Sequence, residues 1–87
     1  MIYKLEFKKS ALKDLKKITP AEAKKIILKI KGLATEPRPF NCIKLTNEEK
    51  YRIRVGDYRV LYEIIDDILV INVVKVKHRR EVYRKNK

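Results

Sequence analysis

Tyr51-Arg52-Ile53-Arg54-Val55-Gly56-Asp57-Tyr58-Arg59-Val60-Leu61-Tyr62 is the stretch that decides the fold. Around a Gly-Asp pair, apolar and polar residues alternate with the period of two that a half-buried strand requires. Glycine at the first central position suits a two-residue II′ turn, so the stretch reads as a β-hairpin, with strands at residues 50–55 and from Tyr58 to about Ile65. The loop length sets the register: Val55 opposes Tyr58, Arg54 opposes Arg59, Ile53 opposes Val60 and Tyr51 opposes Tyr62. Tyr51, Ile53, Val55, Val60, Tyr62 and Ile64 then share one face and suit a core. Arg52, Arg54 and Arg59 share the other.

On the C-terminal side, Asp66-Asp67 is a weaker turn signal and Ile68 to Val76 reads as the last strand, followed by the basic tail HRREVYRKNK. On the N-terminal side, Ile43 and Leu45 mark a short strand and Thr46-Asn47-Glu48-Glu49 a polar turn. Before them Glu36-Pro37-Arg38-Pro39 ends a helix, because each proline disfavours helical geometry at its predecessor and removes a donor. That helix starts at Thr19-Pro20-Ala21-Glu22, with a threonine cap, proline at the first helical position and glutamate placed to close a capping box. Ala23, Ile26, Ile27, Ile30, Leu33 and Ala34 form its apolar stripe, with Lys24, Lys25, Lys29 and Lys31 outside. An earlier helix begins at Ala11 with Ser10 as cap and Leu12, Leu15 and Ile18 on its apolar side. Residues 2–8 alternate imperfectly and read as a first strand.

The order β-α-α-β-β-β-β predicts one α+β domain over residues 1–87. An antiparallel sheet packs on two N-terminal helices, both on one face, and a short helical or extended tail follows. The opposite sheet face is left for function.

Composition narrows that function. With 45% apolar residues, two glycines and three prolines, the chain supports a packed core rather than disorder. A lone Cys42 makes no internal disulfide, and no Cys/His cluster offers a zinc site, so neither metal nor cofactor is expected. The N-terminal MIYKLEFKKS lacks an apolar run long enough for a signal peptide or a span, so the expected setting is a reducing cytoplasm, away from membranes. Twenty-three Lys and Arg against eleven Asp and Glu leave a formal charge of +12. Such a field attracts polyanions, and counterion release makes nucleic acid the default partner, ahead of acidic protein or membrane.

Two arginines facing each other across a hairpin are unfavourable by a few tenths to about 1 kcal/mol. An anion between them offsets that, since each guanidinium presents a rigid fork of donors to phosphate oxygens; a nearby carboxylate such as Glu63, or water, does the same. A second cationic cluster is the tail, with Lys75, Lys77, His78, Arg79, Arg80, Arg84, Lys85 and Lys87. Val82 and Tyr83 interrupt it and allow it to dock on the sheet. Together these groups fit a ribonuclease that needs no metal: the RNA 2′-hydroxyl attacks the adjacent phosphate, cations stabilise the added charge, and a donor protonates the leaving 5′ oxygen. Arginine suits charge stabilisation and is a poor base, which leaves Tyr83 or His78 to handle protons. No glycine-rich phosphate loop, Ser/His/Asp set or spaced carboxylate pair is present.

The hairpin stretch and Val76-Lys77-His78-Arg79-Arg80-Glu81-Val82-Tyr83 resemble the RelE/ParE toxin superfamily, along nearly the whole chain. The resemblance implies a toxin that enters the ribosomal decoding site and cleaves messenger RNA there, silenced by an acidic RelB-like antitoxin in a hetero-oligomer. It also implies roles. Arg52 and Arg54 match the paired basic strand positions, Arg59 the arginine after the hairpin, Arg79 the tail arginine and Tyr83 the tail tyrosine. With His78 as a substitute proton carrier, the candidate catalytic set is Arg54, Arg59, His78, Arg79 and Tyr83, surrounded by Lys50, Arg52, Lys77, Arg80 and Arg84 as RNA contacts. Arginines stand where relatives carry lysines, which leaves the general base open. Two other readings fit the same fold: a ParE-like inhibitor that binds DNA gyrase without catalysis, and a basic nucleic-acid-binding module without activity.

Overall fold

A computed structural model describes residues 2–45 and 50–78. Strand β1 (Lys4–Phe7) leads into helices α1 (Lys9–Lys16) and α2 (Pro20–Leu33), and strands β2 (Ile43–Lys44), β3 (Lys50–Val55), β4 (Tyr58–Ile65) and β5 (Val70–His78) follow. The α+β order is the one expected. The hairpin pairs Val55 with Tyr58, Arg54 with Arg59, Ile53 with Val60 and Tyr51 with Tyr62, as its loop length dictates. Gly56 at φ 59° is the loop's one positive φ, which fits the II′ form and the absence of a Cβ there.

The five strands lie in the order β1-β5-β4-β3-β2. The sheet is mixed rather than wholly antiparallel, because β1 runs parallel to β5. The helix hairpin carries the chain from β1 at one edge of the sheet to β2 at the other, and the strands then step back until the last joins the first, a long connection of the kind that a parallel pairing requires. Three further expectations are corrected. The last strand begins at Val70, because Asp66–Ile68 forms a 3-10 turn closed by Leu69 in the left-handed region at φ 53°. Helix α1 begins at Lys9, and Ser10 is not its cap: the Ser10 hydroxyl donates to the Val74 carbonyl at 2.7 Å. Thr19 does occupy the N-cap of α2, but its side chain makes no capping hydrogen bond, so the capping box does not form.

Ala11 of α1 and Ile26, Ile30 and Leu33 of α2 are buried against Tyr51, Ile53, Val60, Tyr62, Ile64, Ile71, Val73 and Val76. Each fully buried aliphatic or aromatic side chain contributes roughly 1.5–3 kcal/mol relative to exposure. Tyr62 lies at the centre, fully buried, stacked on Tyr51 at 5.9 Å between ring centroids, and its hydroxyl donates to the Pro37 carbonyl at 2.8 Å. Burial pushes its phenol well above the ordinary range, so it stays protonated. Arg38 closes this end of the sheet from outside, with its guanidinium 5.3 Å above the Tyr51 ring, its Nε donating to the Tyr51 hydroxyl at 3.1 Å and its Nη2 to Asp66 Oδ2 at 2.9 Å. The Tyr3 hydroxyl donates to Asp66 Oδ1 at 2.6 Å, which ties β1's approach into the same bracket.

Strand β5 contains an irregularity that positions the site. Tyr62 pairs with Val73 but Leu61 pairs with Lys75, so Val74 is an extra residue, a β-bulge. Beyond Phe7, β1 no longer covers the edge of β5, and α1 takes over: Ser10 binds the Val74 carbonyl, and the Val76 N–H donates to Asp14 Oδ2 at 3.0 Å. Among the described residues no helix is long and apolar enough to cross a membrane.

Asp14→Ala strands the Val76 N–H and is expected to lower unfolding free energy by about 1–3 kcal/mol in urea titrations, whereas Asp57→Ala in the hairpin loop serves as a near-neutral control. Tyr3 and Arg38 hold the Asp66 carboxyl below the ordinary carboxylate range. A depressed folded-state pKa contributes stability that is present above the unfolded value and lost as pH falls through the folded one. Asp66→Asn is therefore expected to flatten the acid-side decline of the urea midpoint without changing its value near pH 9 relative to pH 7.

Candidate functional site on the open sheet face

Alternation along β3, β4 and β5 sorts their side chains into two faces, and cross-strand pairing sorts each face into rows. On the face away from the helices, Arg54, Arg59 and Lys77 form one row across three strands. The next row is Ile43, Arg52, Leu61 and Lys75, and the one after it is Lys50, Glu63, Asn72 and Glu6. The bulge creates this arrangement. Without the extra residue, Val74 and Val76 would face Leu61 and Arg59, and Lys75 and Lys77 would point into the core.

Of the candidates from the sequence, Lys50, Arg52, Arg54, Arg59 and Lys77 thus lie on one face. Three cations directly in line repel one another, and among the described residues no carboxylate forms an ion pair with Arg52, Arg54, Arg59 or Lys77. Arg54 Nε donates to the Gly56 carbonyl at 3.2 Å, a bond that holds the guanidinium at the hairpin tip through one nitrogen. Lys75, which the sequence reading placed only in the tail cluster, belongs to the same face. Its ammonium also reaches around the sheet edge to within 3.8 Å of Asp14 Oδ2. Asn72 Nδ2 donates to Glu63 Oε1 at 3.0 Å, fixing a carboxylate beside the cations.

His78 is not brought to this cluster. It pairs with Tyr58, whose neighbours on the same face are core residues, and its ring meets the Tyr58 ring edge-on at 5.1 Å. There it borders a shallow polar hollow with Asp14, Lys17, Ile18 and Val76 on the helix side of the sheet. Arg79, Arg80, Tyr83 and Arg84 lie outside the described residues. Val70 is buried, while Ile65 and Ile68 are exposed.

The signal for the bulge is present in the sequence. In Ile71-Asn72-Val73-Val74-Lys75-Val76-Lys77, the odd positions are apolar up to Val73 and cationic from Lys75 onward, with paired valines at the change of phase.

A sheet backed by two helices, with a row of cations on its bare face that no described carboxylate pairs with, defines a small basic α+β protein with one charged face. The comparisons narrow the class. Residues 5–83 match the family model described as the ParE toxin of type II toxin–antitoxin systems, parDE. The RelE1 protein of Methanocaldococcus jannaschii is 35% identical, with 97% of this chain and 98% of that protein aligned. The mRNA interferase toxin RelE of Escherichia coli is 31% identical over 95% of this chain and 92% of its own. The RelE–RelB complex of Pyrococcus horikoshii contains a chain that superposes with a TM-score of 0.81 at 34% identity, covering 91% of this chain and 97% of that one. The chain belongs to the RelE/ParE superfamily of toxins of toxin–antitoxin systems.

Relief of the repulsion in the cationic row is measurable. Arg59→Gln, which keeps much of the stem and removes the charge, is expected to raise stability in urea by a few tenths to about 1 kcal/mol and to weaken binding of a single-stranded RNA oligonucleotide. Lower stability would mean that Arg59 holds the fold.

Proposed function

We propose that this protein is an endoribonuclease toxin that cuts messenger RNA in the ribosomal decoding site, held silent by an acidic antitoxin of the RelB kind. The observation that carries this reading is the row Arg54–Arg59–Lys77, continued by Arg52 and Lys75 in the next row. Repulsion among these groups is removed by a phosphodiester seated between them. Guanidinium forks placed beforehand gain most when the phosphate acquires extra negative charge during attack by the 2′-hydroxyl, which is how fixed donors accelerate a reaction. The relationship to a protein named mRNA interferase supports the reaction class.

Arg79 and Tyr83 complete the proposed set from the tail. The register of β5 turns His78 toward the helices, which weighs against it as the proton carrier at this phosphate. The same positive field suits the antitoxin. A carboxylate-rich segment answers the cationic rows, and exposed Ile65 and Ile68 at the sheet's far end supply apolar contact, so inhibitor and substrate compete for one surface.

The ParE description of the matching family keeps a second reading in play, a toxin that inhibits DNA gyrase by binding alone. One set of assays separates them. Incubated with programmed ribosomes, the purified protein is expected to produce new messenger ends at the decoding site, and Arg59→Ala or Arg79→Ala to lower the rate at least about 100-fold. Intact messenger together with inhibited gyrase supercoiling would establish the binding toxin instead.

A further inference from the structure

We infer that Glu63 is the general base that withdraws the 2′-hydroxyl proton, an inference that rests on the endoribonuclease reading above. The cationic rows stabilise charge but provide no base, since arginine and lysine side chains stay protonated at neutral pH. Among the described residues, the carboxylates in the rows of the open face are Glu6 and Glu63. Glu6 lies on β1 at the sheet's edge, two strands away from β4. Glu63 lies on β4 itself, between β3 and β5.

Along the open face of β4 the side chains run Arg59, Leu61, Glu63, in steps of about 7 Å. Leu61 is an apolar floor flanked by Arg52 on one neighbouring strand and Lys75 on the other, and Arg59 pairs with Lys77 in the row beyond. A phosphodiester resting over Leu61 lies beside Arg52, with the Glu63 carboxylate at one end and the cations Arg59 and Lys77 at the other. Cleavage by an internal hydroxyl needs that polarity, because the attacking and leaving oxygens occupy opposite sides of phosphorus. The Glu63 carboxylate takes the 2′-hydroxyl proton as the bond from O2′ to phosphorus forms. The bond from phosphorus to O5′ breaks, and O5′ takes a proton from the Lys77 ammonium. The products are a 2′,3′-cyclic phosphate and a 5′-hydroxyl end.

Two features support the assignment beyond position. A carboxylate amid these cations opposes polyanion binding through Coulomb repulsion, so its place here is explained better by chemistry than by affinity. The hydrogen bond from Asn72 occupies Oε1 and orients the group, while a carboxylate has a second oxygen for the hydroxyl.

That hydrogen bond also supplies the test, because a glutamine carbonyl accepts it as well. Glu63→Gln keeps the structural contact and removes the base. In single-turnover cleavage on programmed ribosomes, Glu63→Gln is expected to lower the rate constant at least about 100-fold with ribosome affinity changed less than about threefold. Glu63→Asp is expected to recover part of the rate. Circular dichroism melts of each variant report folding. Wild-type protein that cuts messenger alongside a folded Glu63→Gln that cuts comparably, or that loses only affinity, overturns the inference and leaves the nuclease reading standing. Wild-type protein that leaves messenger intact removes both.

Discussion

Ser10 and Asp14 of α1 hold the place where, among the described residues, β5 departs from regular pairing. The extra residue Val74 leaves a carbonyl that Ser10 binds, and Asp14 takes the Val76 N–H beyond it. An orphaned backbone group at a half-buried edge costs about 1–3 kcal/mol, so these side chains remove a cost that the bulge would otherwise carry. Regular phase would bury two ammonium groups and expose Val76. The site on one face thus depends on a helix packed toward the other.

Consistency between levels of structure explains why the open face can remain repulsive. The helix-side rows, from Val55 to Ile64, are apolar apart from His78 beside Tyr58, and supply the burial that holds β3, β4 and β5 in register. Stability gained there offsets the small electrostatic cost of the facing row. One surface of the sheet holds the fold together, and the other carries the cationic rows.

The hairpin was legible in the sequence because strict alternation, loop length and a glycine at the turn all specify one register. The arginine row followed from the same pattern. The position of Thr19 at the N-cap is legible, but the capping role of Ser10 is not, because a hydroxyl near a helix start is equally able to reach a neighbouring strand and nothing in the local sequence names Val74 as the acceptor. The parallel pairing of β1 with β5 is a long-range choice that alternation within four residues cannot express. His78 was assigned to the arginine face because the tail was read as one cationic run. The change of phase at Val73-Val74 contradicts that, and it was visible. The sequence suggests Glu63 only as a screen for the arginines, although the hairpin register already places it opposite Lys50, two rows from Arg59.

The Arg38 bracket gives the hairpin unequal ends. At Tyr51 and Tyr62 the two strands are gripped by stacked rings, a guanidinium and the Pro37 carbonyl, whereas Gly56 and Asp57 close the other end with a two-residue loop. The Glu63 end is thus pinned by side chains as well as by the ladder, whereas beside Arg54 and Arg59 the ladder and a short loop do the holding, so a change at Tyr51 or Arg38 loads one end of the strand pair and leaves the other to backbone pairing.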